Sequence, residues 1–323
     1  MEKMDVTALG ELLIDFTENG VSGQGNPLYE ANPGGAPCNV LAMLAKLGHR
    51  TAFIGKVGND FFGKWLKEVI QEAGIRADYL YMDENVHTTL AMVHTFPDGD
   101  RDFSFYREPG ADMMLAAQEV PEEALENTGI FHFGTLPMTH KGVREATRKA
   151  VEGAKAAGAL ISFDPNLRPP LWKSLDEAKE QVLYGLSQCD ILKISDNEIQ
   201  WLNGLEDYTE GVEWILKRYD IPFILVSMGR QGSRAYYQGK MVEAAPLLRE
   251  DTIETTGAGD TFCACVLHYV LEHGIEGLSE ENLKEMLAFA NCAASLITTR
   301  RGALKVMPEK GEIEAELRRN KSL

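Results

Sequence analysis

The 323-residue chain has no CxxC pair, no HExxH and no other close grouping of its seven histidines, so its spacing offers no zinc motif. Its five cysteines (Cys38, Cys189, Cys263, Cys265 and Cys292) leave one over from any pairing. They are expected to be free thiols acting mostly as small core residues in a reduced compartment. Basic charge is scarce too: a formal charge of −17 argues against a nucleic-acid partner. It leaves a nucleotide open, because a small ligand reads a local field. No apolar run reaches bilayer length. Met1 to Asp5 is charged, and the apolar stretch after it is broken by Gly10, Glu11 and Asp15, which is unlike a signal peptide. The expectation is a cytoplasmic protein with no membrane partner. No GxGxxG follows the first strand, which removes a dinucleotide site. No repeat, low-complexity stretch or Pro/Gly linker divides the chain, so one α/β domain is expected over 1–323.

What is present is an alternation of short β-branched runs with longer amphipathic segments, the pattern of a parallel sheet flanked by helices. Strands are predicted at Val6–Leu9, Thr51–Gly55, Ile130–Phe133, Leu160–Phe163, Ile191–Ile194 and Phe223–Val226. Helices are predicted at Cys38–Leu47, Phe61–Ala73, Lys141–Ala157, Leu175–Ser187, Thr209–Tyr219, Thr261–His273, Glu281–Thr298 and Lys310–Arg319. Two insertions break the rhythm, at about 12–32 and 86–108, the second around the turn signal Pro97-Asp98-Gly99-Asp100. Such β insertions at strand carboxyl ends read as a small lid over a ligand crevice, or as solvated hairpins.

The densest chemical signal is Thr255-Thr256-Gly257-Ala258-Gly259-Asp260-Thr261-Phe262. Small residues before a helix let an anion approach the main chain, where unpaired N–H groups and the dipole favour it. A carboxylate beside that anion is unwelcome unless it takes a proton from an attacking hydroxyl, the role read for Asp260. The other reading is a helix cap with Asp260 complementing the dipole.

Further candidates cluster at predicted strand ends. Asn32-Pro33-Gly34-Gly35-Ala36-Pro37-Cys38-Asn39 permits close backbone approach, with Asn39 able to donate and accept, or is simply a glycine turn and cap. Asn166 and Arg168 in Asp164-Pro165-Asn166-Leu167-Arg168 suit a sugar oxygen or a phosphoryl group, or a loop salt bridge. In Lys193-Ile194-Ser195-Asp196-Asn197-Glu198, Glu198 is a candidate outer magnesium ligand; otherwise Asp196 caps a helix and Glu198 fills its first turn. Ser227-Met228-Gly229-Arg230-Gln231-Gly232 suits a nucleotide phosphate or a plain turn. Gly58 to Lys64 has Walker A spacing, but Trp65 stands where the magnesium-binding hydroxyl belongs, so a helix entry is the better reading.

Taken together, these motifs resemble the ribokinase-like, or phosphofructokinase B, sugar kinases. The resemblance runs from Gly10-Glu11 with Asp15, through Pro33-Gly34-Gly35 with Asn39 and Gly55-x-Val57-Gly58-x-Asp60-x-x-Gly63, to Thr256-Gly257-Ala258-Gly259-Asp260. Phe105-Tyr106-Arg107-x-x-Gly110-Ala111-Asp112 and Phe163 to Trp172 look most like fructokinases, with similar segments in 2-keto-3-deoxygluconate kinases. The resemblance implies a doubly wound α/β fold with a β lid, and ATP-dependent phosphorylation of a primary sugar hydroxyl, with fructose as the expected acceptor. Asp260 matches the catalytic base, and Gly257, Ala258 and Gly259 the anion hole. Asp15, Gly34, Gly35 and Asn39 match sugar-binding positions, with Arg107 and Arg168 placed to touch substrate or transferred phosphate. Lys193, Ser195, Ser227, Gly229, Gly232 and Asn291 fall on the nucleotide side. Magnesium is implied with ATP. Ser195 replaces a usual asparagine, and Glu254 replaces a common aspartate at a monovalent-cation position, which leaves potassium activation open. The lid is a candidate homodimer interface. The rivals are an acidic-sugar kinase and a non-catalytic sugar-binding regulator on the same fold.

Overall fold

The computed structural model describes residues 3–95 and 101–321. In chain order, β1 (Met4–Leu9), β2 (Leu13–Val21) and β3 (Pro27–Gly34) lead into α1 (Ala36–Lys46), β4 (Thr51–Gly58), α2 (Phe61–Glu72) and β5 (Ile75–Asp83). Next come β6 (Leu90–Thr95), β7 (Arg101–Tyr106), α3 (Glu122–Glu126), β8 (Thr128–Phe133), α4 (Lys141–Ala156), β9 (Leu160–Phe163) and α5 (Leu175–Gln188). Then follow β10 (Ile191–Ser195), α6 (Asp196–Asn203), α7 (Tyr208–Leu216), β11 (Phe223–Ser227), β12 (Ser233–Tyr237) and β13 (Lys240–Ala244). The chain closes with α8 (Ala258–His273), α9 (Glu280–Ile297) and α10 (Lys310–Lys321).

A nine-stranded sheet has the order β13-β12-β11-β10-β9-β8-β1-β4-β5, parallel except for the β12 and β13 edge. Its strands are apolar on both faces, as a sheet covered twice requires. Along β11, Phe223 and Leu225 pack into one core while Ile224 and Val226 pack into the other. The first core is closed by α1, α2, α8 and α9, and the second by α4, α5, α6 and α7. Helix α4 shows the cause: Val143, Ala146, Ala150, Val151 and Ala154 recur at helical spacing and are all buried. The fold is therefore doubly wound. The chain runs one way from β1 to β4 and β5 and the other way to β8 through β11, which puts the topological switch beside β1.

The two insertions form one second sheet of order β3-β2-β6-β7, with β2 and β6 parallel and the outer pairs antiparallel. The Pro97–Asp100 turn signal lies outside the described residues. The Walker-like segment is a helix entry, as read: Asp60 caps α2 by accepting from Gly63 N–H at 2.8 Å. The same carboxylate accepts from Thr88 N–H and Oγ1, tying the root of β6 to the main domain.

Candidate active site

Helix α8 begins at Ala258, three residues earlier than its apolar run suggests, because Gly257 supplies a left-handed cap at φ 76°. A side chain at Gly257 would also meet Ala303 Cβ at 2.7 Å. Asp260 thus falls in the first turn, facing a cavity of about 300 Å³ at the carboxyl ends of the parallel strands. A second cavity of about 370 Å³ lies on the other side of the turn. Thr255 and Gly259 line both. Two ligands would therefore meet at one helix N-terminus, where amides lack intrahelical partners. A larger cavity of about 770 Å³ opens near Leu160, Asp190 and Pro222, at the opposite strand ends, and none of the motif residues line it.

The first cavity is polar and chemically specific. Asp260 is buried, and Asn39 Nδ2 donates to its Oδ2 at 2.7 Å. Burial raises the Asp260 pKa above the ordinary value, opposed by Asn39, Lys193 and Arg168. Asn39 Oδ1 is buried without a hydrogen-bond partner, an acceptor that a hydroxyl donor would satisfy. Asp15 lines the same wall, and a side chain at Gly34 would collide with its carboxylate, although Gly34 itself does not line the cavity. Gly35 lines it at φ 127°, where any side chain would run into the Glu11 carbonyl. The small sheet contributes Leu13, Asp15 and Phe105. Asn166 and Arg168 close the far side, Asn166 in a left-handed conformation with φ 42°.

Lys193, expected on the nucleotide side, lines this first cavity instead, bound to buried Asp164 at 2.9 Å. Burial works against its charge, but Asp164 and Glu198 outweigh that and hold its pKa above the ordinary lysine value. A side chain at Gly259 would sit 3.3 Å from Lys193 Nζ, so the glycine lets the ammonium approach the helix N-terminus. The arrangement is a fixed positive pole facing a buried carboxylate across a space open to a polar ligand.

The second cavity is the more apolar one, with Leu247, Phe262 and Ala294 in its walls. Ser227, Gly229, Gly232 and Asn291 all line it, as expected of the nucleotide side. The Asn291 amide is committed to structure: it donates to Ala245 O at 3.0 Å and accepts from Ser233 Oγ at 2.9 Å.

The structure differs from the sequence reading at Arg107 and at the start of α6. Arg107 is not in the cavity wall; its guanidinium is buried against Asp112, Thr139 Oγ1 and Leu136 O. A buried guanidinium needs such partners, and they hold it beneath the lid root. Ser195, not Asp196, caps α6, and Glu198 completes a capping box from the third helical position. Neither Ser195 nor Glu198 lines a cavity, because Glu198 accepts from Ser195 N–H and Oγ and from Leu167 N–H. Glu254 Oε1 accepts from Gly302 N–H at 3.1 Å, beside a small crevice that Asp15, Asn32 and Thr256 share.

Glu11 carries more than the sequence suggested. It is buried in the wall of the first cavity and accepts from Ala36 N–H at 2.9 Å. Burial pushes its pKa from 4.5 to about 7. The unfolded chain loses this proton first, so the associated stability is full below pH 4.5 and declines as pH rises to about 7. Glu11→Gln, which keeps the acceptor to Ala36, is expected to exceed the parent in stability at pH 8 by about 1–3 kcal/mol. At pH 4 the two should match. Denaturant unfolding at both values checks this, and an equal gap at both would refute it.

Residues 3–310 match the model of the pfkB family carbohydrate kinases. Fructokinase-1 of Zea mays is 38% identical over 95% of this chain and 96% of its own. Probable fructokinase-4 of Arabidopsis thaliana is 36% identical over 99% of this chain and 98% of its own. Among solved structures, fructokinase of Xylella fastidiosa with bound ATP superposes with TM-score 0.89 at 29% identity, covering 99% of this chain and 100% of that one. Fructokinase of Vibrio cholerae with fructose, ADP and calcium gives 0.88 at 28% identity, covering 97% and 99%. With a family match over nearly its whole length and a capped glycine turn joining two cavities, the chain belongs to the pfkB family of carbohydrate kinases.

Proposed function

We propose that this protein transfers the γ-phosphoryl group of ATP to a primary hydroxyl of fructose, releasing ADP. Asp260, held by Asn39 at the one helix N-terminus that both cavities share, is the observation that carries the reading. The hydroxyl oxygen attacks phosphorus, its proton passes to the Asp260 carboxylate, and the bond from phosphorus to the ADP oxygen breaks. Lys193 and the amides of Gly257 to Asp260 meet the charge on the transferring group. Asp15, Asn39 and Arg168 orient the sugar, and Ser227, Gly229 and Gly232 hold the nucleotide.

Magnesium supplies charge neutralisation on the phosphates when bound. Glu198 fits it only through water, because both its oxygens already accept hydrogen bonds from Ser195 and Leu167. Glu254, with one oxygen accepting from Gly302 N–H beside the Thr255–Gly257 turn, would hold a monovalent cation and supply its charge there. The second sheet acts as a lid that excludes water, since ATP hydrolysis competes with transfer. Its exposed Val21, Leu28 and Tyr29 suit a homodimer interface. Buried free thiols fit a cytoplasmic location.

The commitment of Arg107 favours a neutral sugar over an acidic one, because Arg168 alone of the two arginines reaches the cavity. Coupled ADP release with fructose, glucose, ribose, adenosine and 2-keto-3-deoxygluconate tests this. Fructose is expected to give the highest kcat/KM by about tenfold or more. A higher value for the keto acid would reassign the substrate.

A further inference from the structure

Far from both cavities, His49 and His268 meet ring to ring. His49 follows α1, and His268 lies on α8 eight residues beyond Asp260, about 12 Å along the axis. His49 Nε2 and His268 Nδ1 are 2.6 Å apart, from positions 219 residues apart in sequence. Glu272 sits one turn beyond His268 on the same helix face, and the three ligand atoms lie within 4.8 Å of one another.

We propose that His49, His268 and Glu272 form a binding site for a divalent transition ion of zinc type, joining the loop after α1 to the carboxyl-terminal half of α8. The chemistry is that of a borderline ion: two imidazole nitrogens and a carboxylate, with a fourth position left for water. Tetrahedral zinc holds such atoms about 3.3 Å apart, so the two nitrogens would part slightly and the exposed carboxylate would swing in. His268 is buried and packed edge-on to Tyr269 and against Phe289, which fixes its ring plane as an outer shell should. His49 is half-buried and Glu272 exposed, leaving an entry path.

Burial lowers the pKa of both rings, which favours the neutral form that can ligate an ion. Asp5 and Glu272 add negative potential, while Lys310 and His273 oppose it. Both opposing side chains are exposed, and the His273 ring lies against Tyr269 with centroids 5.6 Å apart. In the ion-free protein one ring donates its N–H to the other. Metal binding needs only a tautomer change in the donor ring, its proton moving to the nitrogen that faces away, with no net proton release. The sugar-kinase reading plays no part in this inference.

The test is zinc titration of the full chain without nucleotide, by competition with a chromogenic chelator, with the cobalt absorption spectrum as a second readout. The wild type should bind one equivalent with a dissociation constant on the order of 1 µM or below. Glu272→Gln and His49→Gln should each weaken that equivalent by about tenfold or more. The Asp260→Asn variant should retain it. Cobalt should give a four-coordinate spectrum in the wild type that both variants lose. Absence of uptake at about 100 µM zinc, or equal uptake by all variants, would overturn the proposal.

Discussion

Asp260→Asn is expected to lower turnover by about 10²–10⁴-fold, with fructose affinity changed by no more than about threefold. The substitution keeps the shape of the side chain and an oxygen for Asn39 Nδ2, so the turn at Gly257 and both cavities should survive. What it removes is the site that takes the hydroxyl proton. The large kinetic loss with small binding loss separates this role from the structural alternative, in which Asp260 only complements the helix dipole. A dipole role would cost about 0.3–1 kcal/mol of stability and leave turnover near normal. Steady-state kinetics beside fructose binding to the variant distinguishes the two. Full turnover in a folded variant would remove Asp260 from the mechanism.

Lys193→Met should reduce turnover by about 10²–10³-fold, the range for deleting one preorganised charge at a transferring group. Lys193 is 7% exposed, and its ammonium is kept by Asp164 while Gly259 leaves the approach to the helix N-terminus clear. Methionine fills the volume but leaves Asp164 unpaired, which costs stability as well, at most about 3–5 kcal/mol. The Asp164→Asn variant separates these effects, since it disturbs the pair yet keeps the ammonium. It should lose far less turnover than Lys193→Met. Equal losses in the two variants would mean that the pair matters only for folding.

Much of this was legible in the chain because the relevant signals are local. The Gly257-to-Asp260 turn, the two glycines before α1 and the strand-end positions of Asn166 and Ser227 follow from backbone chemistry within a few residues. Strand β5 is missing from the sequence reading for the same reason in reverse, and helix α6 enters it only as a possible cap at Asp196. β5 mixes Arg76, Asp78 and Asp83 into an edge strand, and α6 is only eight residues long. The capping box of Ser195 with Glu198 is the local signal for α6, and it moves the cap one residue ahead of Asp196 while leaving Glu198 in the first turn.

Long-range pairings were not legible. For Arg107 the sequence offers only Asp112, five residues on, as a local partner; Thr139 and Leu136 lie some thirty residues away and only the fold supplies them. Glu11 was read as a motif letter rather than as part of a cavity wall, since its burial depends on α1 packing over β1. The pairing of His49 with His268 belongs to the same class: helix spacing places Glu272 beside His268, but nothing local brings His49 to them.

The central claim is that the two cavities exchange a phosphoryl group across the α8 turn. It is tested most directly by incubating the wild-type protein with fructose, magnesium and ATP labelled at the γ-phosphoryl, and following the label by mass spectrometry. The account predicts one labelled fructose phosphate, esterified at a primary hydroxyl, for each ADP formed. Fructose binding without ADP would point to a sugar-binding regulator, and ADP with the label in inorganic phosphate would point to a hydrolase. Either result would contradict the account.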